Sequence, residues 1–577
     1  MGDRMRILCG MLTLTLILVP AAFGQAASSG TRAVDSAENL RQLAHAYYIW
    51  RNEDDPVSSS YQGLHTWDEK LQDYSESAIT MRRKHLAETL AQIKSMRTDS
   101  WAKDDQIDWV LFRSQIEGAV FFDALMPERR DPQTYTNECS NAIFSLIKKD
   151  YAPGRTRALA AMSRLRLMPA FLEQGKRNLV EPVRLYAQLA IDSARTGDSL
   201  YTDSLATIAS ELTPAEKQDF VQARDAAVGA LHAYADWLDQ RLPKMAEFQP
   251  MGEAKYNYLL KNVYLLPVDA EQVAMLGQVE LARYRALEAL LADPSMADPN
   301  PARSKSVPAD EQEFLQAYER REAEIIQFLR ERNLVTVPPY LGKFEIRELP
   351  AAFKPTSPGG FMNPPGLYDV DNSGFYFIPT YNPDSKNFYI RAAIEDPRPI
   401  LGHEGIPGHF LQISISNHLS DEIRREQGDG VFAEGWALYT EEMMMRTGLY
   451  PDNSAAQGQI LRLSRYRAAR VGVDVNLQTG KWTFEQAVKY FMEAGGLDRE
   501  AAEGEAAGAA SQPTQKITYM VGKWQIMRLL GRYRQQQGTN FRLGAFHDAL
   551  LANGTLPISV VEWILLNDKS DLDAALN

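Results

Sequence analysis

The chain has 577 residues, of which 45% are hydrophobic and 24% are charged, so it is long enough to bury a large core. Its formal net charge of −13 argues against nucleic-acid binding, because proteins that bind phosphates carry clusters of lysine and arginine. The sequence has no basic stripe to offset this acidity, which favours solubility.

The first residues have the pattern of a signal peptide. Arg4 and Arg6 precede the apolar run Ile7–Val19, and small residues follow it. A charged start, a short apolar stretch and a small-residue cleavage zone are typical of an export signal, whereas a membrane span needs about 20 apolar residues. We predict that residues 1–26 are removed by cleavage near Gly24 to Ala26, and that the protein is periplasmic or secreted. An uncleaved interfacial anchor is the alternative.

The two cysteines exclude an intramolecular disulfide in the exported protein. Cys9 lies inside the predicted signal peptide, in a context that does not match a lipid-attachment site. Cys139 is then the single remaining thiol. Because no histidine stands near it to act as a base, we predict that Cys139 is a core residue and not a nucleophile.

The next part of the chain, residues 27–342, is predicted to form an amino-terminal helical lobe. Asp198-Ser199 and Thr213-Pro214 have the residue types of helix starts. No segment after the signal has the length and apolarity of a membrane span. Apolar residues recur at three- and four-residue spacing in Glu76–Met96, Asp104–Leu125, Ala215–Arg241 and Ala309–Asn333.

The residue pattern changes between Lys343 and Arg391, where short β-prone segments alternate with clusters of Pro, Gly, Asn and Asp. We predict a small sheet here, as part of a carboxy-terminal lobe over 343–577 that binds the metal. Helical patterning then resumes, and Gly495–Ser511 is either a loose helix or a mobile loop. The fold class predicted is therefore mainly α with a small β-sheet. The predicted strands are Phe344–Arg347, Phe375–Pro379 and Asn387–Ile390.

The segment Leu401–Gln412 contains two histidines and an acid at close spacing. A catalytic zinc takes three protein ligands, commonly histidine and carboxylate, and keeps one position open for water. His403 and His409 are six residues apart, so on a regular helix they would point about 120° away from each other. Pro407 and Gly408 relax this constraint, because proline disrupts the preceding turn and glycine tolerates unusual dihedral angles. We predict a local bulge in a kinked helix that lets both imidazoles reach one metal ion.

A third ligand is expected from the helical run Val431–Glu442. Glu434 stands 25 positions after His409, which leaves room for the end of one helix, a loop and a return. Glu441 and Glu442 are the alternatives, and Glu441 could instead orient a ligand histidine as a hydrogen-bond acceptor. His418 lies in a polar stretch and is predicted to be a surface histidine.

The remaining roles follow from the chemistry of hydrolysis. Glu404 is predicted to accept a proton from the attacking water and to return it to the leaving amine. The developing oxyanion needs a hydrogen-bond donor, for which Tyr519 and His547 are candidates. The alternatives are that Tyr519 is packed in the core and that His547 is a helix-surface residue paired with an acid.

Several segments resemble one known family over almost the whole mature chain. They are Trp67–Leu71, Lys84–Trp109, Gly359–Pro365, His403–Gln412, Glu434–Tyr439, Arg467–Asp474, Pro513–Gly522 and Phe546–Pro557. The sequence resembles the bacterial domain-of-unknown-function 885 family, placed among zinc peptidases of the gluzincin type.

The resemblance implies a mainly helical protein with a deep groove between two lobes, one zinc ion at its floor and a short sheet along one wall. Arg467 and Arg470 become candidates for holding a substrate carboxylate, since guanidinium binds carboxylates in a bidentate manner; a solvated helix face is the alternative. The chain departs from the family pattern at Gln478, where a histidine is usual, and at Gly508, where an arginine is usual. Both departures could alter substrate contacts.

Three functions are consistent with these residues. The first is a zinc metallopeptidase that hydrolyses short peptides. The second is a zinc amidase that acts on cell-wall fragments or modified amino acids. The third is a non-catalytic, exported protein that binds metal or peptide. A serine or cysteine hydrolase is not supported, because the chain lacks a Gly-x-Ser-x-Gly motif and Cys139 has no base beside it. The oligomeric state, monomer or homodimer, stays open.

Overall fold

The computed structural model describes residues 36–293, 308–349, 360–451 and 454–576. The predicted signal peptide therefore lies outside the described residues. Before the sheet, the helices are α1 (Ala37–Asp54), α2 (Pro56–Tyr61), α3 (Glu76–Ser95), α4 (Lys103–Asp123), α5 (Pro127–Arg130), α6 (Gln133–Ile147), α7 (Gly154–Asn178), α8 (Arg184–Thr196), α9 (Ala206–Ala209), α10 (Pro214–Asp239), α11 (Glu253–Tyr258), α12 (Ala270–Leu291) and α13 (Glu311–Glu331).

Helices also dominate the chain after the sheet. They are α14 (Phe388–Glu395), α15 (Arg398–Glu404), α16 (His409–Asn417), α17 (Glu422–Arg425), α18 (Gly430–Thr447), α19 (Ser454–Gln478), α20 (Phe484–Tyr490), α21 (Arg499–Ser511), α22 (Thr518–Gln537), α23 (Leu543–Leu551), α24 (Ile558–Leu566) and α25 (Ser570–Leu576). The predicted mainly helical fold class is thus confirmed.

The four periodic segments in the amino-terminal part are helical as predicted, and their caps explain where they begin. The Thr213 hydroxyl oxygen accepts the Glu216 N–H, and the Glu216 carboxylate accepts the Thr213 N–H. This reciprocal cap fixes the start of α10 at Pro214. A helical stretch also begins at Asp198-Ser199, as predicted, and continues as the π-helical segment Leu200–Ser204. No side chain in the described part of the chain caps this segment, and the Asp198 carboxylate pairs with His232 at 2.8 Å.

Three strands form the sheet: β1 (Phe344–Glu348), β2 (Phe361–Asn363) and β3 (Gly374–Ile378). Their order is β1-β3-β2, with β1 parallel and β2 antiparallel to β3. Because β3 is central and buried throughout, its sequence reads as a continuous apolar run. The strand predicted at Asn387–Ile390 is wrong: the Asn387 side chain accepts the Ile390 N–H at 3.2 Å, and the chain continues as α14.

The alanine-rich stretch before Ser511 is a helix and not a loop. Asp498 caps α21 by accepting the Ala501 N–H at 2.9 Å. A row of small residues, Ala502, Ala506 and Ala509, is buried against the neighbouring helices. Alanine therefore serves here as a close-packing residue with high helix propensity.

The largest hydrophobic core draws on both sides of residue 342. Leu40 and Phe112 belong to the same cluster as Phe432 and Trp436. The division into two lobes at residue 342 stays a prediction. Cys139 is a free, fully buried thiol, as predicted, and burial raises its pKa. Within the described ranges, no helix combines the length and apolarity needed to cross a bilayer.

Two glycines let α18 and α22 approach backbone to backbone. A Cβ atom built on Gly435 would lie 2.4 Å from the Gly522 carbonyl carbon. One built on Gly522 would lie 1.8 Å from the Val431 carbonyl oxygen. Only glycine fits at either position, and the contact brings Glu434 on α18 close to Tyr519 on α22.

Candidate metal centre

The two histidines lie on two helices, not on one kinked helix. The predicted bulge is therefore wrong in form: α15 ends at Glu404, a turn follows, and α16 begins at His409. The turn leaves helical geometry at Gly405 (φ −97°, ψ −119°) and Gly408 (φ −73°, ψ −134°), and contains a cis Ile406–Pro407 bond. A Cβ atom on Gly408 would lie 1.9 Å from the His403 carbonyl oxygen, so this close return requires glycine.

The turn brings the three predicted ligands together. One ligand atom from each of His403, His409 and Glu434 lies within 4.8 Å of the others. Glu434 Oε2 is 3.7 Å from His403 Nε2 and 3.3 Å from His409 Nε2. The imidazole planes are nearly perpendicular, at 89°, with ring centres 4.9 Å apart. Two nitrogens and one carboxylate oxygen facing a common point match the donor set of a catalytic zinc site.

Glu441 orients the first histidine, as predicted for it. His403 Nδ1 donates to Glu441 Oε1 at 2.7 Å, and both residues are buried. A hydrogen bond that holds the Nδ1 proton leaves Nε2, which faces Glu434, as the nitrogen that can bind a metal. Glu442 is not a third ligand: its carboxylate pairs with Lys523 and accepts the Tyr284 hydroxyl at 2.8 Å.

The pKa values of His403 and Glu434 are both strongly shifted within the cluster. Burial opposes the charged form of His403, but the carboxylates of Glu434 and Glu441 outweigh it and raise its pKa to about 9. Burial alone would raise the pKa of Glu434, yet the His409 and His403 imidazoles hold that pKa well below its usual range. Glu434 Oε2 is buried and has no properly aligned hydrogen-bond donor among the described residues. A partly buried, ionised carboxylate of this kind fits a divalent cation.

Glu404 follows His403 directly and closes α15. It lies outside the group of three ligand atoms and is partly exposed. Its charge helps to raise the pKa of Tyr376 on β3, after the larger effect of burial, so the carboxylate lies near the sheet. The position is compatible with the predicted proton-transfer role, because no ion pair or metal-ligand partner within the described ranges engages Glu404.

Tyr519 lies beside the cluster. Its ring is almost parallel to that of His403, at 17°, with centres 6.3 Å apart, and its hydroxyl accepts a weak bond from Gln515 Nε2 at 3.4 Å. Burial and, after it, the charge of Glu434 raise the pKa of Tyr519. The phenol therefore keeps its proton at neutral pH and can act as a donor.

His547 does not face the cluster, so its predicted role as an oxyanion donor is wrong. The residue is fully buried, and its Nδ1 donates to the Leu334 carbonyl oxygen at 2.6 Å. Its Nε2 accepts from the Tyr439 hydroxyl at 2.8 Å. Burial lowers its pKa to about 4, so it is neutral and its single N–H is already used. The predicted acid pairing also fails, because Asp548 accepts from Thr336.

Arg467 and Arg470 lie on α19 and both approach Tyr519. Their guanidinium carbons are 5.5 and 5.1 Å from the centre of its ring. Both side chains are buried, which excludes the alternative of a solvated helix face. Arg467 Nη2 lies 3.4 Å from Glu441 Oε1, and Arg470 pairs with Glu505.

The departures from the family pattern have local structural roles. Gln478 Nε2 donates to the Ala509 and Ala510 carbonyl oxygens at 2.7 and 3.0 Å, which ties α19 to α21. A Cβ atom on Gly508 would lie 3.1 Å from Lys516 Nζ. The Lys516 ammonium thus occupies the space beside the glycine, and it pairs with Glu505 at 3.2 Å.

Comparison with known proteins places this chain in a family. Residues 56–565 match the family described as bacterial proteins of unknown function, DUF885. The chain belongs to this family.

Two solved structures have the same fold as this DUF885 protein. One, of a candidate lipoprotein of unknown function from Shewanella oneidensis, is 22% identical with a TM-score of 0.71, covering 91% of this chain and 99% of its own. The other, of a candidate lipoprotein from Colwellia psychrerythraea, is 19% identical with a TM-score of 0.74, covering 94% and 99%. Among curated proteins, no match was found.

Sequence reasoning missed how this DUF885 protein braces the turn between its two histidines. Trp436 Nε1 donates to the Pro407 carbonyl oxygen at 2.8 Å, and Thr440 Oγ1 donates to the Gly402 carbonyl oxygen at 3.1 Å. Both residues lie on α18, four positions apart. The sequence did offer one signal. A tryptophan stands among apolar residues two positions after the predicted ligand Glu434, and the N–H of a buried indole needs a partner.

Proposed function

We propose that this DUF885 protein is an exported, zinc-dependent metallopeptidase that hydrolyses peptide bonds in short peptides. The observation that carries the proposal is the arrangement around His403. Glu441 holds its Nδ1, and its Nε2 faces Glu434 beside His409. Two histidines and one glutamate are a ligand set of zinc hydrolases, and a further acid, Glu404, stands next to the first ligand.

The chemistry assigns one task to each residue. His403, His409 and Glu434 would hold the ion. When bound, zinc lowers the pKa of water to near 7 and polarises a carbonyl. The Glu404 carboxylate accepts a proton from the attacking water as its oxygen bonds to the scissile carbonyl carbon. The C–N bond then breaks, and Glu404 returns the proton to the leaving amine. The Tyr519 hydroxyl donates to the developing oxyanion.

Export is supported by the amino-terminal pattern before Ala26. The two similar solved structures are described as candidate lipoproteins, which supports a location outside the cytoplasm but not an anchor for this chain. Cys9, the one cysteine in the predicted signal, lacks the context of a lipid-attachment site. Fractionation of expressing cells tests this part: we expect a processed form in the periplasm or the medium.

The experiment that tests the catalytic proposal combines metal analysis with substrate profiling. The purified mature chain is expected to contain close to one zinc per chain and to cleave members of a library of linear peptides. Activity on muropeptides without cleavage of linear peptides would instead favour the zinc amidase. Less than roughly a tenth of an equivalent of zinc, not restored by dialysis against the ion, would favour a non-catalytic binding protein.

A further inference from the structure

The two arginines near the cluster differ in how their charge is compensated. Arg467 and Arg470 are three residues apart on α19, so they share one face of the helix. Arg470 forms a bidentate pair with Glu505, through Nε at 3.0 Å and Nη2 at 2.8 Å. Lys516 joins the same carboxylate at 3.2 Å. The charge of Arg470 is therefore balanced inside the protein.

Arg467 has two donors that no residue in the described part of the chain accepts. Only its Nη2 approaches a carboxylate, Glu441 Oε1, at the long distance of 3.4 Å. Its Nε and Nη1 are buried and have no hydrogen-bond partner among the described residues. The side chain is 8% exposed. Buried donors of a charged group without acceptors are strongly unfavourable, so this arrangement points to an acceptor from outside the chain.

The position of Arg467 limits where such an acceptor can lie. His403 Nδ1 and Arg467 Nη2 approach the same Glu441 oxygen, at 2.7 and 3.4 Å. The guanidinium is thus separated from the histidine ring by a single carboxylate oxygen. Since an extended peptide advances about 3.3–3.6 Å per residue, a group held by Arg467 lies within a few residues of the bond that is cleaved.

We propose, on the basis of the peptidase function proposed above, that Arg467 binds the terminal carboxylate of the substrate. A carboxylate supplies the two oxygens that Nε and Nη1 lack, in the planar geometry that guanidinium prefers. The enzyme then acts as a carboxypeptidase, hydrolysing a bond within a few residues of the carboxyl end. Arg470 is not this anchor, because Glu505 already occupies its Nε and Nη2.

The test uses pairs of amino-terminally acetylated peptides that differ only in a free carboxylate or an amide at the carboxyl end. For the wild-type enzyme we expect kcat/KM for the acid to exceed that for the amide by on the order of 100-fold. Arg467→Gln is expected to remove most of this ratio by lowering the acid value alone. Arg467→Lys, which keeps the charge and loses the fork, should fall between them. Arg462→Gln, at a partly exposed residue of α19 paired with Glu395, is the matched control.

Two results would overturn the inference. One is rapid cleavage of peptides blocked at both ends. The other is an equal loss for acid and amide in Arg467→Gln with zinc content intact, which would mean that Arg467 only supports Glu441, whose Oε2 also lacks a donor.

Binding separates this inference from the proposed function. In Glu404→Gln, calorimetry should show the acid peptide bound more tightly than the amide, and adding Arg467→Gln should abolish the difference. If that preference is found but the wild-type protein hydrolyses no peptide, Arg467 still binds the terminal carboxylate, and the peptidase assignment fails. Equal affinities for acid and amide in Glu404→Gln would remove the anchor.

Discussion

Helix α18 carries buried acids on two faces, and the two groups differ in how their charge is satisfied. Towards α15 and α16 lies the metal cluster, which consists of His403, His409, Glu434 and Glu441. Towards α12 and α22 lies what we call the lysine cluster, formed by Glu442, Lys523, Tyr284 and Arg283. Glu442 pairs with Lys523, accepts the Tyr284 hydroxyl at 2.8 Å and meets Arg283 at 3.4 Å.

The contrast distinguishes a group of charges that are fully paired within the protein from a group that keeps unpaired atoms. In the lysine cluster, both oxygens of Glu442 face cations or hydroxyl groups of the protein itself, since Arg446 Nε also donates to it at 2.7 Å. In the metal cluster, Glu434 Oε2 has no aligned donor among the described residues. Two nitrogens of the adjacent Arg467 have no acceptor there either. Burial is similar in both groups; completeness of pairing is what differs.

The largest expected effect separates metal binding from proton transfer within the metal cluster. Glu404→Gln should keep zinc and lose turnover by about 10²–10⁴-fold, because the amide cannot accept a proton. His403→Ala should lose both zinc and turnover. Zinc content and kcat on one peptide are measured for each variant. His418→Ala, at an exposed histidine stacked on Tyr340, is the control and should change neither. Full activity in Glu404→Gln would contradict the assignment.

The next effect concerns the lysine cluster and should appear in stability. Lys523→Met leaves the buried Glu442 carboxylate without its closest cation and should lower the free energy of unfolding by about 3–5 kcal/mol. Urea unfolding measures the change. Lys489→Met, at an exposed lysine, should leave the free energy unchanged. Loss of zinc from Lys523→Met at full stability would mean that the two clusters are one functional unit.

The third prediction concerns Asp429, which caps α18, the helix that carries both clusters, and makes the stability of the protein depend on pH. Asp429 accepts the Phe432 N–H at 2.6 Å, and burial raises its pKa from 3.8 to about 7, against the opposing effect of backbone N–H groups. The folded protein then holds a proton that the unfolded chain releases. This contribution to the free energy of unfolding is full below about pH 4 and declines by up to about 1.4 kcal/mol per pH unit as the pH rises to 7.

Asp429→Asn keeps the cap and should remove that slope. Urea unfolding from pH 4 to pH 8 in wild type and variant measures it, and parallel curves would show that the Asp429 proton does not contribute.

The smallest expected effect is on the orientation of one ligand. Glu441→Gln should weaken zinc binding by about 10–100-fold, because the amide is a poorer acceptor for His403 Nδ1 and leaves the ring less basic. Competition with a chelator measures the zinc affinity. Glu442→Gln, in the lysine cluster, should leave zinc affinity unchanged and lower stability instead. Equal effects on zinc affinity would erase the distinction between the two faces of α18.

Local patterns predicted much of this molecule, because helices are specified over short distances. The periodic segments, the cap at Thr213 and the pairing of His403 with His409 and Glu434 were all accessible to reasoning about spacing. The errors occurred where a local signal competed with another. Asn387 capped a helix within a β-prone run, so the strand predicted there is α14.

Site residues distant in sequence were harder to judge, because their partners come from other elements. His547 had the residue type of a donor, yet Leu334 and Tyr439 use both of its ring nitrogens. Arg467 and Arg470 looked equivalent until Glu505, more than thirty positions away, was found to pair with only one of them. Residue type states what a side chain can do, and its neighbours decide whether that capacity is still available.

By itself, the sequence determined which chemical groups are present and roughly where the helices begin and end, since propensity, capping and periodicity act within a few residues. It also determined that regular helix geometry is disturbed before His409, because Pro407 and Gly408 disfavour it, but not that the disturbance is a full turn between two helices. Only the tertiary structure decided which acid faces the imidazoles and which arginine keeps unpaired donors. Those outcomes depend on how α18, α19 and α22 pack. Because these groups are buried, each unpaired donor or acceptor has a large free-energy cost.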